Sequence, residues 1–264
     1  MRFAEYFASR KGPVISFEVF PPKTDKAMEH LLEVLPRLIA LRPSYMTVTY
    51  GALGSTQART LEIASLIRKA HGFEAASHLT CVGASRAEID RILVRLTASG
   101  TENIVALRGD PPKGETQFVP PEGGFRHANE LVAHVKATGR FGIAVAGYPE
   151  KHIEAPDLDT DLRYLKRKVE AGGDIVITQL FYDNADFFAY ERKVRALGIK
   201  VPVVPGLLPI QSYSQIQRIT SLCGAKIPPA LRNALDAAGE DAAKVGEVGI
   251  RWTVEQCRCL LSGG

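Results

Sequence analysis

The chain has 264 residues, 45% of them hydrophobic and 23% charged, with a net charge of +4. This balance fits an ordinary globular protein, and a charge so mild and unclustered gives no case for nucleic acid as a partner. No apolar run approaches the length of a membrane span, so no membrane partner is expected. The first twelve residues lack an apolar signal core and are expected to lead straight into a strand, which makes a cytoplasmic location the default. Cys81, Cys223, Cys257 and Cys259 match no zinc spacing and read as reduced, structural thiols.

In chain order, short apolar segments rich in β-branched residues predict strands at 14–20, 45–50, 74–80, 103–108, 142–147, 174–180 and 201–207. Helical patterns lie between them. Leu31, Leu35, Leu38 and Ile39 form one stripe, with Pro36 expected to bend that helix. Ser85-Arg86-Ala87-Glu88 reads as a capping box ahead of Ile89, Ile92, Leu93 and Leu96. Pro111–Arg126 is a proline- and glycine-rich loop after the fourth strand, in the position of a functional loop. Leu158, Leu162, Leu165 and Val169 repeat helically until Gly172-Gly173, and Phe187, Val194 and Leu197 until Gly198. A helix over 210–223 and a longer helical region over 228–261 follow.

Alternating strands and helices imply a parallel sheet with right-handed crossovers. The fold class is α/β, a (β/α)8 TIM-type barrel with seven βα units visible, read as one catalytic domain over 1–264. An eighth strand is not found and is expected to be missing at the C-terminus. In such barrels the site gathers at the C-terminal strand ends. Six consecutive strands carry polar groups there: Glu18; Thr47, Thr49 and Tyr50; His78, Thr80 and Cys81; Arg108, Gly109 and Asp110; Tyr148 and His152; Thr178, Gln179 and Tyr182. Gln211 and Tyr213 follow the seventh. Their convergence favours a large polar ligand.

Glu18 lies among apolar residues, where burial would raise its pKa and suit it to general-acid work. A carboxylate paired with a nearby Arg or Lys fits its surroundings equally well. Asp110 suits a turn before Pro111-Pro112, or a local pair with Arg108. His78 on an apolar strand reads first as a core histidine, and Lys166-Arg167-Lys168 as a solvated helix face. No metal-ligand spacing is present, so no metal is expected, and no GxGxxG or P-loop motif occurs.

Seven short motifs then stand in order: Ser16-Phe17-Glu18-Val19-Phe20-Pro21-Pro22, Val48-Thr49-Tyr50-Gly51, His78-Leu79-Thr80-Cys81, Ala106-Leu107-Arg108-Gly109-Asp110, Tyr148-Pro149-Glu150, Ile177-Thr178-Gln179 and Pro205-Gly206-Leu207-Leu208-Pro209. Together they resemble the flavin-dependent methylenetetrahydrofolate reductases of bacterial type, over nearly the whole chain. The resemblance implies an FAD-binding barrel that reduces 5,10-methylenetetrahydrofolate to 5-methyltetrahydrofolate with NADH or NADPH, in ping-pong order, in a homo-oligomer serving one-carbon metabolism and methionine supply. It assigns Glu18 as general acid and Asp110 as its electrostatic partner. It assigns flavin contacts to Thr49, Tyr50, His78, Arg108, Gly109, Asp110, Ala128, Tyr148, His152, Asp161, Arg167 and Lys168. Folate or nicotinamide contacts fall on Glu18, Thr49, Asp110, Gln179 and Tyr213, the last often Phe in relatives. Tyr164 replaces a flavin-contact residue that can be Asn, and that role is not transferred. Relatives continue into a final strand with a His-Phe-Tyr-Thr-Leu-Asn-Arg-like motif. Two alternatives are a flavin-free reductase of the same family and a non-catalytic barrel that needs a partner to complete it.

Overall fold

A computed structural model describes residues 1–9, 12–50, 57–111, 114–115 and 117–263. Gly51 of the second motif, Pro112 after Asp110 and the terminal Gly264 lie outside the described residues. The chain divides into two compact units, Met1–Val145 with Arg167–Ile175, and Ala146–Lys166 with Val176–Gly264.

The first unit opens with α1 (Phe3–Ser9), where the sequence predicts a direct run into strand. Phe3 and Tyr6, one turn apart, are buried on one face, with their rings 5.1 and 5.3 Å from that of Tyr45. So short a helix shows no second period for a sequence pattern to register. It is stabilised by this aromatic packing rather than by propensity.

Then follow β1 (Ser16–Val19), α2 (Asp25–Ala40), β2 (Tyr45–Val48), α3 (Gln57–Lys69), β3 (Ala75–Thr80), α4 (Arg86–Ala98), β4 (Asn103–Leu107), α5 (Ala128–Ala137) and β5 (Gly142–Gly147). Neighbours pair in parallel from β1 to β5. The α2 stripe packs as its spacing predicts: Leu35 is fully buried with Val19, Met46, Val48, Ile63 and Ile67, and Leu31, Leu38 and Ile39 close over them. Pro36 stands inside α2 without ending it.

The capping box forms as its spacing predicts. Ser85 Oγ accepts from Glu88 N, and Glu88 Oε2 accepts from Ser85 N at 2.7 Å. Ser85→Ala is therefore expected to cost about 1 kcal/mol of stability, measured by chemical denaturation.

The helix α6 (Leu158–Glu170) leads to β6 (Ile175–Leu180), α7 (Asn184–Ala196), β7 (Val203–Gly206) and α8 (Tyr213–Cys223). β6 and β7 are parallel, with an irregularity between Ile177 and Leu180. α8 begins three residues later than its predicted start, because Ser212 caps it through Gln215 N. The long C-terminal helical region is two helices, α9 (Pro229–Ala238) and α10 (Ala242–Gly263). Gly239, at φ +61°, breaks them. Leu231, Leu235 and Val245 bury against Tyr182, Ile210 and Ile216. Trp252 Nε1 and Gln256 Nε2 donate to the carbonyls of Tyr182 and Phe181, both at 3.0 Å.

Seven strands are found among the described residues, alternating with helices and parallel in every described pair. This is the plan of the α/β, TIM-type barrel class.

Candidate active site

In the first unit the register places Glu18 of β1 directly beside Thr47 of β2. Thr47 Oγ1 donates to Glu18 Oε2 at 3.1 Å, and His78 Nε2 of β3 stands 3.1 Å from the same oxygen. The histidine contact is close, and it favours the charged form of Glu18. His78 is 9% exposed and Thr47 3%, whereas the Glu18 side chain keeps 42% of its surface open.

These surroundings correct the sequence reading of Glu18. Burial by itself would raise its pKa, but His78 and Thr47 outweigh it, and the carboxyl lies below its usual range. Its partner is a histidine rather than the expected Arg or Lys. Thr47 is legible in the sequence as the residue two before Thr49, on the same strand face.

At the end of β4, Gly109 adopts φ +86°, and a Cβ there would come within 2.7 Å of Val82 Cγ2. Arg108 Nε donates to the Gly109 carbonyl at 3.2 Å, and its guanidinium lies 5.2 Å from the Phe118 ring centre. Asp110 is exposed, and Thr49 and Tyr50 are buried and half-buried. Cys81 is buried, and burial pushes its thiol up to about 12, which leaves it unreactive at neutral pH. Ala128 is the first residue of α5, whose His127 cap makes no side-chain bond. Arg167 is exposed and Lys168 half-buried in the last turn of α6, a place that favours cations in any case.

The second unit holds a separate group. The Tyr148 and His152 rings meet edge to face at 4.6 Å. His152 N donates to Oδ2 of the buried Asp161 at 3.1 Å. Gly147 makes room for Tyr190, since a methyl group there would collide with the tyrosine hydroxyl. Tyr190 arrives from α7, where it shares the buried face of Phe187 and Val194 at helical spacing.

Glu150, the last residue of its motif, accepts from Lys226 N through both oxygens, at 3.1 and 3.2 Å. Gln179 Oε1 accepts from Leu180 N at 2.9 Å, so its amide nitrogen is the end left for other partners. Tyr213 donates to Asp236 Oδ1 at 2.7 Å, an anchor that Phe would lack.

The methylenetetrahydrofolate reductase family model matches residues 3–264. The chain belongs to the methylenetetrahydrofolate reductase family. Among curated members, methylenetetrahydrofolate reductase (NADH) 1 of Zea mays is 42% identical over 260 residues, covering 94% of this chain. The 5,10-methylenetetrahydrofolate reductase of Escherichia coli (strain K12) is 36% identical over 250 residues, covering 95% of this chain and 82% of its own length. The chain spans 44% of the length of the maize relative.

Two solved structures share the fold. One is an uncharacterized protein from Clostridium thermocellum described as binding two copies of 5-methyl-5,6,7,8-tetrahydrofolic acid. Its TM-score is 0.65 at 20% identity, over 98% of this chain and 87% of that one. The other is tryptophan synthase from M. tuberculosis, with TM-score 0.53 at 16% identity over 93% and 95%. Family membership thus rests on the sequence matches, and these likenesses speak for the architecture alone.

Proposed function

We propose that this chain reduces 5,10-methylenetetrahydrofolate to 5-methyltetrahydrofolate, drawing hydride from NADH or NADPH through bound FAD. The observation that carries this reading is the Glu18–Thr47–His78 cluster, an ionisable group at a strand end in a chain of this family. NADH appears in the names of the maize, Arabidopsis and rice relatives, which favours it as donor.

The residues present fit a flavin. Thr49, Tyr50, His78, Arg108 and the bare backbone of Gly109 offer varied hydrogen-bonding groups at the strand ends. Thr80 adds a buried hydroxyl that has no partner among the described residues. Tyr148, His152 and Asp161 are further cofactor residues on the resemblance, with Ala128, and Arg167 and Lys168 are suited to a diphosphate. Bound flavin supplies two-electron hydride chemistry, while the protein binds and orients.

In this reading Glu18 holds the proton that goes to the folate nitrogen released on ring opening. It is ionised in the free protein, beside His78. Folate seated over the 42% open carboxyl would strip away water and favour the protonated form. Asp110 faces the positive charge that develops on the opened folate and stabilises it. Gln179, with its oxygen engaged by Leu180, donates through nitrogen, and Tyr213 contributes its ring, anchored by Asp236. A cytoplasmic, homo-oligomeric enzyme is part of the same reading. Among the described residues, no helix is long and apolar enough to cross a membrane.

The purified chain is expected to be yellow, absorbing near about 450 nm, and to oxidise NADH with menadione as acceptor. A colourless chain that still reduces methylenetetrahydrofolate would establish the flavin-free alternative. A flavin-loaded chain that oxidises NADH but leaves folate untouched would overturn the folate assignment.

A further inference from the structure

Between Tyr148 and His152 the backbone passes through Lys151 at φ +82°, in the left-handed region that a residue with a Cβ enters at a cost. Non-glycine backbone in such a region persists only where its surroundings over-determine it, and it gathers at ligand sites. Here the surroundings include the residue's own side chain. Lys151 N donates to the Tyr148 carbonyl at 3.1 Å and closes the turn. Its ammonium then reaches forward to the carbonyls of His152, at 3.1 Å, and Ala155, at 2.5 Å. Beyond the clasp, Glu154 N donates to His152 Nδ1 at 3.1 Å, which fixes that nitrogen as an acceptor. The proton of the neutral ring therefore sits on Nε2. The ring is also held edge to face against Tyr148.

We propose that Lys151 is a positioning residue: by clasping the carbonyls of His152 and Ala155 it holds a strained turn that sets the Tyr148 and His152 rings for the flavin. The inference rests on the reading of Tyr148 and His152 as cofactor residues. Lys151 itself acts only through them. A surface lysine of no consequence would spread its ammonium into water, and an unforced turn at this position would have been served by glycine.

Two variants and two measurements test this. Lys151→Met keeps the aliphatic stem and the strained backbone but removes every side-chain donor. Lys151→Gly removes the strain as well. Backbone hydrogen exchange at His152 and Glu154 is followed in the flavin-free chain, and FAD affinity is read by quenching of flavin fluorescence on titration. Lys151→Met is expected to speed exchange at both amides and to weaken FAD binding, each by about tenfold, the scale of one charge-assisted hydrogen bond. Lys151→Gly is expected to melt no lower than the wild type yet to bind FAD as weakly as Lys151→Met.

Wild-type exchange and wild-type FAD affinity in Lys151→Met would overturn the proposal. So would wild-type FAD affinity in Lys151→Gly, because the turn would then need no clasp. If exchange accelerates in Lys151→Met while the wild type itself takes up no FAD, the flavin reading falls and the clasp on the turn stands.

Discussion

Glu18→Gln is expected to lower the rate of methylenetetrahydrofolate reduction by roughly 10²–10⁴-fold while leaving flavin reduction by NADH near the wild-type rate. Glutamine has the same shape and can still accept the Thr47 hydrogen bond, so the strand ends should stay as they are. What it lacks is an acidic proton. Stopped-flow measurement of the two half-reactions separates the roles, since only the folate half needs the acid. Equal losses in both halves would remove Glu18 from the proposed role.

The pH dependence follows from the same cluster. Burial opposes the charged form of Glu18, but His78 and Thr47 hold its pKa below the ordinary value in the free protein. A depressed folded-state pKa contributes stability that is present above the unfolded value. That stability is lost as pH falls through the folded value. The contribution is small, because the side chain is 42% exposed and solvent screens it. For the reaction the sign is opposite: lowering the pH fills the acid form, so the folate half-reaction should accelerate toward acid until the fold loosens. In Glu18→Gln this acceleration should vanish.

Gly109→Ala should be a strongly damaging substitution at the end of β4. At φ +86° an alanine costs roughly 1–2 kcal/mol for the left-handed backbone. Its methyl would also lie 2.7 Å from Val82 Cγ2 and 3.2 Å from Thr80 Cβ, in packed surroundings where overfilling typically costs about 1–3 kcal/mol. The sum, about 2–5 kcal/mol, is a large share of the roughly 5–15 kcal/mol that holds a domain together. Gly83→Ala is the matched control: its φ is +67°, but nothing lies within 4 Å of the added carbon. Only the backbone part should appear there. Equal losses of stability on denaturation in both variants would refute the steric part of the claim.

Much of this protein is legible residue by residue. The seven strands announce themselves through short β-branched runs, and α4 through a capping box, because those signals arise within a few residues of chain. Strand ends collect ligand groups in this class of fold, so Glu18, His78, Arg108 and Tyr148 stand out by their positions along the chain. The ordered motifs supply the family. Tertiary structure decides what each group meets. Glu18 reads equally well as acid or ion pair in its own strand. Its state is set by Thr47 and His78, which the β1–β2–β3 pairing brings to one oxygen. α1 exists because Tyr45 offers it a surface, and Gly147 is small because Tyr190 of α7 approaches it. The strain at Lys151 is likewise invisible in a run of one-letter codes. Local propensity is written in neighbouring residues, whereas burial, pairing and backbone strain depend on groups far apart in the chain, and folding alone brings those together.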